Sequence, residues 1–464
     1  MKNPIDVEIL SRIQFAFTIA FHYIYPPLSI GLGLVLVVME GYYLKTKNPI
    51  YERMTRFWIK IFALIFGIGV ATGIVMEFEF GTNWAAYSRY VGDIFGSALA
   101  AEGIFAFALE SGFLGILLFG WNRVGPKTHF FSTVMVALGS IFSAVWIVVA
   151  NSWQQTPAGF KIEGEGLKAR AVVTDFWEMV FNPSSVDRLS HVIIGAFLAG
   201  SFLVLSVNAY YLLRNKHVEI AQKSFKIALI VAFISSFAQL LTGHHSADGV
   251  AKNQPAKLAA FEGHFDSSAV ADMYLFGWVD KTTQEVYGLK IPKGLTFLIH
   301  QDLVTPVTGL NAFPERDRPG AVNFVFQMYH LMITIGLALI FLTSLGMFLW
   351  YKNKLFSSRW IMLAFAWAVF LPQIGNQVGW YAAEVGRQPW VVYGLLRTSD
   401  ALSESVRAEQ VWFSLILFTV VYLLLFILFI YLLNKKIKHG YSEDQHEPIP
   451  TFSKRDNPLI NNLD

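Results

Sequence analysis

Long apolar runs separated by short polar connections dominate the chain. Runs able to cross a hydrocarbon layer of about 30 Å as helices occur at Ile13–Val38, Trp58–Phe78, Ile94–Leu118, Phe130–Val149, Leu189–Leu213, Phe225–Leu241, Val322–Trp350, Ile361–Val378 and Val411–Leu433. Strands of a membrane barrel would be about half as long and would alternate apolar with polar positions, which these do not. The pattern therefore predicts an all-α polytopic membrane protein, a bundle of about nine transmembrane helices. It divides into helices one to six (1–241), a long polar connection (242–321), helices seven to nine (322–434) and a polar tail (435–464) containing Pro448, Pro450 and Pro458, which is expected to be disordered. The connections at 150–188 and 242–321 are too long for turns, so each carries function or a small folded cap. No internal repeat is visible, which weakens an inverted-repeat transporter.

Charge orients the bundle. Lys45, Lys47, Arg53 and Arg56 follow the first span, Arg123 and Lys127 the third, and Arg214, Lys216 and Lys223 the fifth. Lys352, Lys354 and Arg359 follow the seventh, and Lys435, Lys436 and Lys438 the ninth. The positive-inside rule then sets the N-terminus outside and the C-terminus in the cytoplasm, as an odd number of spans requires. Met1 to Arg12 holds Asp6 and Glu8 and has no small-residue cleavage site, so the first span is expected to remain as an anchor.

Composition narrows the chemistry. Of 464 residues, 54% are hydrophobic and only 15% charged, against about a quarter in soluble domains. A formal charge of +3 implies no nucleic-acid partner. The chain has no cysteine, which excludes disulfides, thiolate-ligated clusters and Cys-attached haem. A redox role would have to use His, Met or carboxylate ligands.

Ionisable groups inside a bilayer are costly and usually functional. His22 lies in the first span ahead of Pro26-Pro27, His191 opens the fifth, and Met332 lies in the seventh. A lone intramembrane His or Met also serves as packing. The third span holds Glu102 and Glu110, about 12 Å and about 80° apart on a straight α-helix, so both acids can face one interior at different depths. Each must be protonated or paired, and proton relay or metal ligation are the natural roles. Directly after the eighth apolar run comes Gly379-Trp-Tyr-Ala-Ala-Glu-Val-Gly-Arg-Gln-Pro-Trp390. There Glu384 can bind metal or carry a proton, and Arg387 can hold a carboxylate such as a propionate. The plainer reading is a helix end within an interfacial Trp belt. Topology brings His22, His191, Met332, Glu102 and Glu384 toward one half of the bilayer, which scattered packing residues would have no reason to do.

Taken in order, Arg12-Ile13-Gln14-Phe15 ahead of His22, Gly81-Thr-Asn-Trp84, the Glu102/Glu110 helix, Ala150-Asn-Ser-Trp153, Lys257-Leu-Ala-Ala-Phe-Glu262 and the Gly379–Trp390 segment resemble subunit I of a cytochrome bd-type quinol oxidase from Ser11 to Trp390. The resemblance implies His191 and Met332 as axial ligands of a low-spin haem b. It implies His22 and Glu384 on a high-spin haem b and a haem d (or a third haem b), without saying which holds which. Glu102 would be a ligand or proton donor and Glu110 the deeper proton carrier. Arg387 would pair with propionates, Trp380 would pack on a macrocycle, and Arg12 falls in the same cofactor-binding set. Lys257 and Glu262 would contact quinol in a short-type loop, with Glu262 as an exposed carboxylate taking protons; unrelated to a quinol site, they would form a solvated helical stretch. A second membrane subunit is implied, together with a small single-span one in some assemblies. Quinol (ubiquinol or menaquinol) and O2 are the implied substrates, and the bacterial cytoplasmic membrane the location. One position departs from the pattern: His330 stands where many members have arginine, a weaker holder of an anion. The rival readings are a transporter or channel using the buried acids as ion sites, and a di-haem b-type electron carrier.

Overall fold

In the computed structural model, which describes residues 6–267 and 270–441, nine helical spans are long and apolar enough to cross a membrane. Several are interrupted where the sequence predicts unbroken runs. The first is two helices, α1 (Val7–His22) and α2 (Tyr25–Thr46). Pro26 and Pro27 have no N–H to donate and are tolerated only in the first turn of a new helix, so α1 ends at His22. The second span is α3 (Pro49–Thr82), begun by Pro49 and by the Asn48 side chain accepting from the Ile50 N–H at 3.0 Å. The third is α4 (Ala85–Ala101), a π-helical stretch (Glu102–Phe107) and α5 (Ala108–Phe119).

The fourth span is α6 (Pro126–Gln155). It is followed by a hairpin of β1 (Phe160–Glu163) and β2 (Arg170–Val173) and a short α7 (Phe176–Val180). The fifth and sixth are α8 (Ser185–Leu213) and α9 (Val218–Asn253). Helix α9 runs twelve residues past the predicted end at Leu241, so the long connection begins as helix. That connection then folds as α10 (Pro255–Glu262), an antiparallel hairpin of β3 (Met273–Asp280) and β4 (Glu285–Ile291), and α11 (Gly294–His300). The seventh span is α12 (Val322–Tyr351). The eighth breaks into α13 (Arg359–Trp367) and α14 (Phe370–Val385), with Pro372 in the first turn of the second half. A small β5–β6 hairpin (Trp390–Val392 with Leu396–Arg397) precedes α15 (Ala408–His439). The disordered tail expected from 435 falls largely on residues 442–464, outside the described residues; its first part is the end of α15.

Helix α8 is central, with 78% of its most apolar window covered, against 11% for α15 and 17% for the α4–α5 span. Inside lipid, helices gain little from burying apolar surface against each other, so close backbone approach decides the packing. A Cβ at Gly31 of α2 would fall 2.1 Å from the Ala196 carbonyl oxygen of α8, and one at Gly200 would fall 2.2 Å from the Gly31 carbonyl carbon. These two glycines let α2 and α8 touch. Around them Trp58, Phe62, Phe202, Phe225 and Phe365 fill the core. The hairpins and α10 cap one end of the bundle; the Lys/Arg-rich connections form the other.

Candidate functional site

Under the hairpin cap, four helices meet at Glu384. It sits in the last turn of α14, and Arg387 follows three residues later with Nη2 2.5 Å from Glu384 Oε2. From the last turns of α6, Asn151 Nδ2 and Gln155 Nε2 donate to Glu384 Oε1 at 3.2 and 3.1 Å. From the first turn of α8, Arg188 lies 4.0 Å from the same oxygen and also donates to Asn151 Oδ1. From α10, Lys257 donates to the side-chain oxygens of Gln155 and Gln254.

Three cations thus converge on one carboxylate, and Arg387 and Lys257 are almost fully covered. Burial, with Arg188 and Arg387 nearby, pushes Lys257 well below the ordinary lysine range, and Glu384 partly offsets this. Positive charge stays in excess whether or not Lys257 keeps its proton. Arg387 Nη1 and Arg188 Nε are buried donors without a partner. Unspent guanidinium donors in a covered, positive pocket suit carboxylate groups brought by a ligand. Gln373 and Gln377 share a face of α14 with Glu384, and Gln377 Nε2 donates to the Ala20 carbonyl at 2.7 Å, tying that face to the end of α1 beside His22. Both Gln373 side-chain atoms and Gln377 Oε1 are buried and unpaired.

The two histidines share a device that the sequence reading missed. His22 Nδ1 lies 2.9 Å from Thr72 Oγ1, and that hydroxyl spends its own proton on the Ile68 or Gly69 carbonyl of α3. The oxygen must then accept from Nδ1–H, which leaves the Nε2 lone pair free to bind a metal. His191 Nδ1 lies 3.3 Å from Thr242 Oγ1, which is likewise bonded back to α9 carbonyls. Gln239 Nε2 lies 3.1 Å from His191 Nε2, and Gln239 Oε1 is buried without a partner. Next to each threonine is a glycine against the ring: a Cβ would fall 3.2 Å from His22 Cε1 at Gly73 and 3.4 Å from His191 Cε1 at Gly243. The repeated Thr72-Gly73 and Thr242-Gly243 pairs were the available signal. Met332 has a comparable neighbour, since a Cβ at Gly379 would fall 2.6 Å from its Sδ.

The remaining candidates are distributed as follows. Glu102 accepts from Ser143 Oγ of α6 at 2.5 Å. Glu110 is buried against α6, where a Cβ at Gly139 would fall 2.6 Å from its Cγ. Glu262 is 3% exposed, which corrects the expectation of an exposed carboxylate or a solvated stretch; burial raises it to about 8. Glu262 Oε2 is 4.0 Å from His330 Nε2, while the two His330 nitrogens lie 2.9 and 2.8 Å from the Phe326 and Tyr274 carbonyl oxygens. Lys257 and Glu262 thus leave α10 toward different neighbours rather than facing one point. Trp380 is half-buried against Tyr381. Arg12 is not brought to the cluster; it pairs with Glu8 at 3.8 Å. Among the described residues no three His, Asp or Glu side chains converge as a metal-ligand group. A metal held here would draw one or two protein ligands and the rest from a macrocycle, and the orphaned polar atoms and ring-facing glycines fit such a group.

Comparison with known proteins agrees over most of the length. The chain is 37% identical over 452 residues to cytochrome bd ubiquinol oxidase subunit 1 of Bacillus subtilis, covering 95% of this chain and 96% of that one. It is 34% identical over 508 residues to cytochrome bd-II ubiquinol oxidase subunit 1 of Escherichia coli, covering 95% and 98%. The structure of bd oxidase from Geobacillus thermodenitrificans superposes with a TM-score of 0.86 at 30% identity, covering 94% of this chain and all of that one. Residues 10–441 match the family described as cytochrome bd terminal oxidase subunit I, and the chain belongs to that family.

Proposed function

We propose that this subunit oxidises quinol at the capped end of the bundle and reduces O2 to water within it. The observation that carries the reading is the surplus of buried positive charge around Glu384, together with two imidazoles each held at Nδ1 by a threonine hydroxyl. His191 and Met332 would hold a low-spin haem b. His22 and Glu384 would hold a high-spin haem b and a haem d (or a further haem b), with Glu102 near the oxygen-reactive iron and Arg387 and Arg188 on propionates. Bound there, the haems supply electron transfer from quinol and the reduction of oxygen. Glu262 supplies the acceptor for a quinol proton, with His330 as its neighbour, and Lys257, held by Gln155 and Gln254, supplies a second contact for quinol. Glu110 passes protons toward Glu102 from the basic end.

The basic connections favour the cytoplasm for that end by the positive-inside rule; protons are then taken up on one side and released on the other, generating proton motive force without a pump. The assembly includes subunit II, accommodates a small single-span subunit, and resides in a bacterial cytoplasmic membrane; the donor is a ubiquinol or menaquinol. A reduced-minus-oxidised spectrum of the purified complex tests the reading. We expect b-type bands with a far-red chlorin band, and quinol-dependent O2 uptake. An absence of haem bands would restore the ion-site transporter, and b-type bands without O2 uptake the electron carrier.

A further inference from the structure

At the basic end lies a second set of buried ionisable groups that the site above does not use. Glu40, in the last turns of α2, and His129, in the first turn of α6, are each 1% exposed. Glu40 Oε1 lies 2.6 Å from His129 Nδ1, and Oε2 lies 2.5 Å from Thr133 Oγ1. The other ring nitrogen, Nε2, lies 3.2 Å from the carbonyl oxygen of Leu117 at the end of α5. A carbonyl only accepts, so Nε2 carries a proton. A carboxyl oxygen at hydrogen-bond distance from Nδ1 then requires one more proton between them. Whether drawn as imidazolium and carboxylate or as imidazole and carboxylic acid, the pair is neutral and holds a single transferable proton.

The surroundings are equally specific. The Trp121 ring covers the imidazole at 3.9 Å between centroids, and the Arg56 guanidinium covers that indole at 4.5 Å. Arg56 is neutralised by Glu52 at 2.6 Å, and Tyr43 of α2 packs edge-on against Trp121. A clasp between α2 and α6 needs no ionisable groups; amides or apolar side chains would hold the helices without the desolvation cost of charge.

What singles out this pair is the helix face it begins. At 100° per residue, His129, Thr133, Ser140 and Ser143 fall within about 80° of one another on α6, over a rise of about 21 Å. Ser140 is buried on this face, Gly139 beside it lies against Glu110, and Ser143 donates to Glu102. One face of α6 therefore leads from the dyad to both acids of the third span. The longest step, Thr133 to Ser140 past Val136 and Ala137, is about 10 Å, a span for two or three bridging waters.

We propose that Glu40 and His129 form a proton-loading dyad at the mouth of the path that feeds Glu110. This rests on the reading of Glu110 as a proton carrier. In each transfer the shared proton passes from His129 to Glu40, and the Thr133 hydroxyl, which at rest donates to Oε2, turns to accept the carboxylic proton while releasing its own proton inward. A proton from the aqueous phase at the basic end restores the pair, and no electron moves. Arg56 and Trp121 stand between the dyad and that surface.

The test uses the complete complex and compares wild type, Glu40→Gln, Glu40→Asp, Thr133→Val and Glu110→Gln. Haem spectra, the rate of haem reduction by quinol, and proton uptake after the reduced enzyme meets O2 are followed in H2O and D2O. Glu40→Gln and Thr133→Val should slow proton uptake by about a hundredfold, the lower range for positioned proton transfer. Haem reduction should be unchanged, the solvent isotope effect larger, and Glu40→Asp should recover part of the rate. Wild-type uptake in both Glu40→Gln and Thr133→Val, with Glu110→Gln slowed, sinks the dyad and leaves Glu110 in place. Wild-type uptake in Glu110→Gln instead removes the path on which the dyad depends. Pigment loss in Glu40→Gln together with wild-type uptake in Thr133→Val would overturn the proposal in favour of a clasp.

Discussion

Removing one or another cation from the Glu384 cluster should have unequal costs. Arg387→Met breaks the shortest pair, 2.5 Å from Glu384, and leaves the carboxylate with Arg188 at 4.0 Å and two amides. Losing the nearer partner of a buried carboxylate costs about 3 kcal/mol, the low end for a broken buried pair, because Arg188 still offsets the charge. Lys257→Met removes a cation that burial and its two guanidinium neighbours already disfavour. It loses bonds to Gln155 and Gln254, worth roughly 1 kcal/mol each, and relieves the repulsion and desolvation of an ammonium, so its net effect should be near zero. The difference of about 3 kcal/mol corresponds to a ratio of about 150 between folded and unfolded populations. Thermal unfolding of the purified complex, with haem content measured alongside, reads it: Arg387→Met should melt several degrees lower and release pigment, while Lys257→Met should melt with wild type and lose only quinol affinity. Equal destabilisation by the two substitutions, or the reverse order, would refute the charge argument.

Glu262, raised by burial from 4.5 to about 8, stays protonated in the fold while its unfolded counterpart ionises, so its contribution to stability is fully present below about pH 4.5 and is lost as pH rises toward 8. Its base form appears over the same upper range, so kcat/KM for quinol should rise through about pH 8 and Glu262→Gln should flatten the profile; an unaltered profile in that variant would remove Glu262 as proton acceptor. Gly379→Ala sets a carbon 2.6 Å from Met332 Sδ, about 1 Å inside contact distance. The low-spin haem signal should weaken both in that variant and in Met332→Leu, and an intact signal in Met332→Leu would sink the assignment. Thr72→Val deletes the acceptor that fixes the His22 tautomer; it should broaden or shift one high-spin band without altering the low-spin haem, and unchanged spectra would show that the hydroxyl does not orient the ring.

Spans were legible because length and apolarity are local properties, and the nine runs recur as nine helical spans. Breaks within them were less so. Pro26-Pro27 was visible, yet whether the helix would kink or stop at His22 depended on how the following turn restarts. The extension of α9 to Asn253 was hidden because its last turns, with His244, His245, Asp248 and Lys252, read as polar loop; they are held beside α8 and α10 instead of lipid. At the site, Glu384 and Arg387 are one helical turn apart and could be paired from sequence. Arg188 and Gln155 come from two other helices, and only packing brings them in. The burial of Glu262 escaped for the same reason: a charged residue in a polar connection looks solvated until the β3–β4 hairpin and α12 close over it.

The π-helical stretch at Glu102–Phe107 has a consequence for how this span tolerates change. Such a stretch accommodates a residue more than an α-helix of the same rise would hold, so its geometry depends on residue number as well as identity. Deleting any one residue between 102 and 107 would let the segment relax to regular α-helix, a locally comfortable outcome. Because the π turn had taken up the extra residue, α4 and α5 would keep their mutual phase, with Glu102 still toward Ser143 and Glu110 against Gly139. Substitutions at Ile104 or Phe105, whose side chains are exposed, should be absorbed easily. A single-codon deletion beside them should leave the two acids on one face, in a subunit that still inserts and folds, whereas a single-codon insertion in regular α5 would turn one acid about 100° from the other.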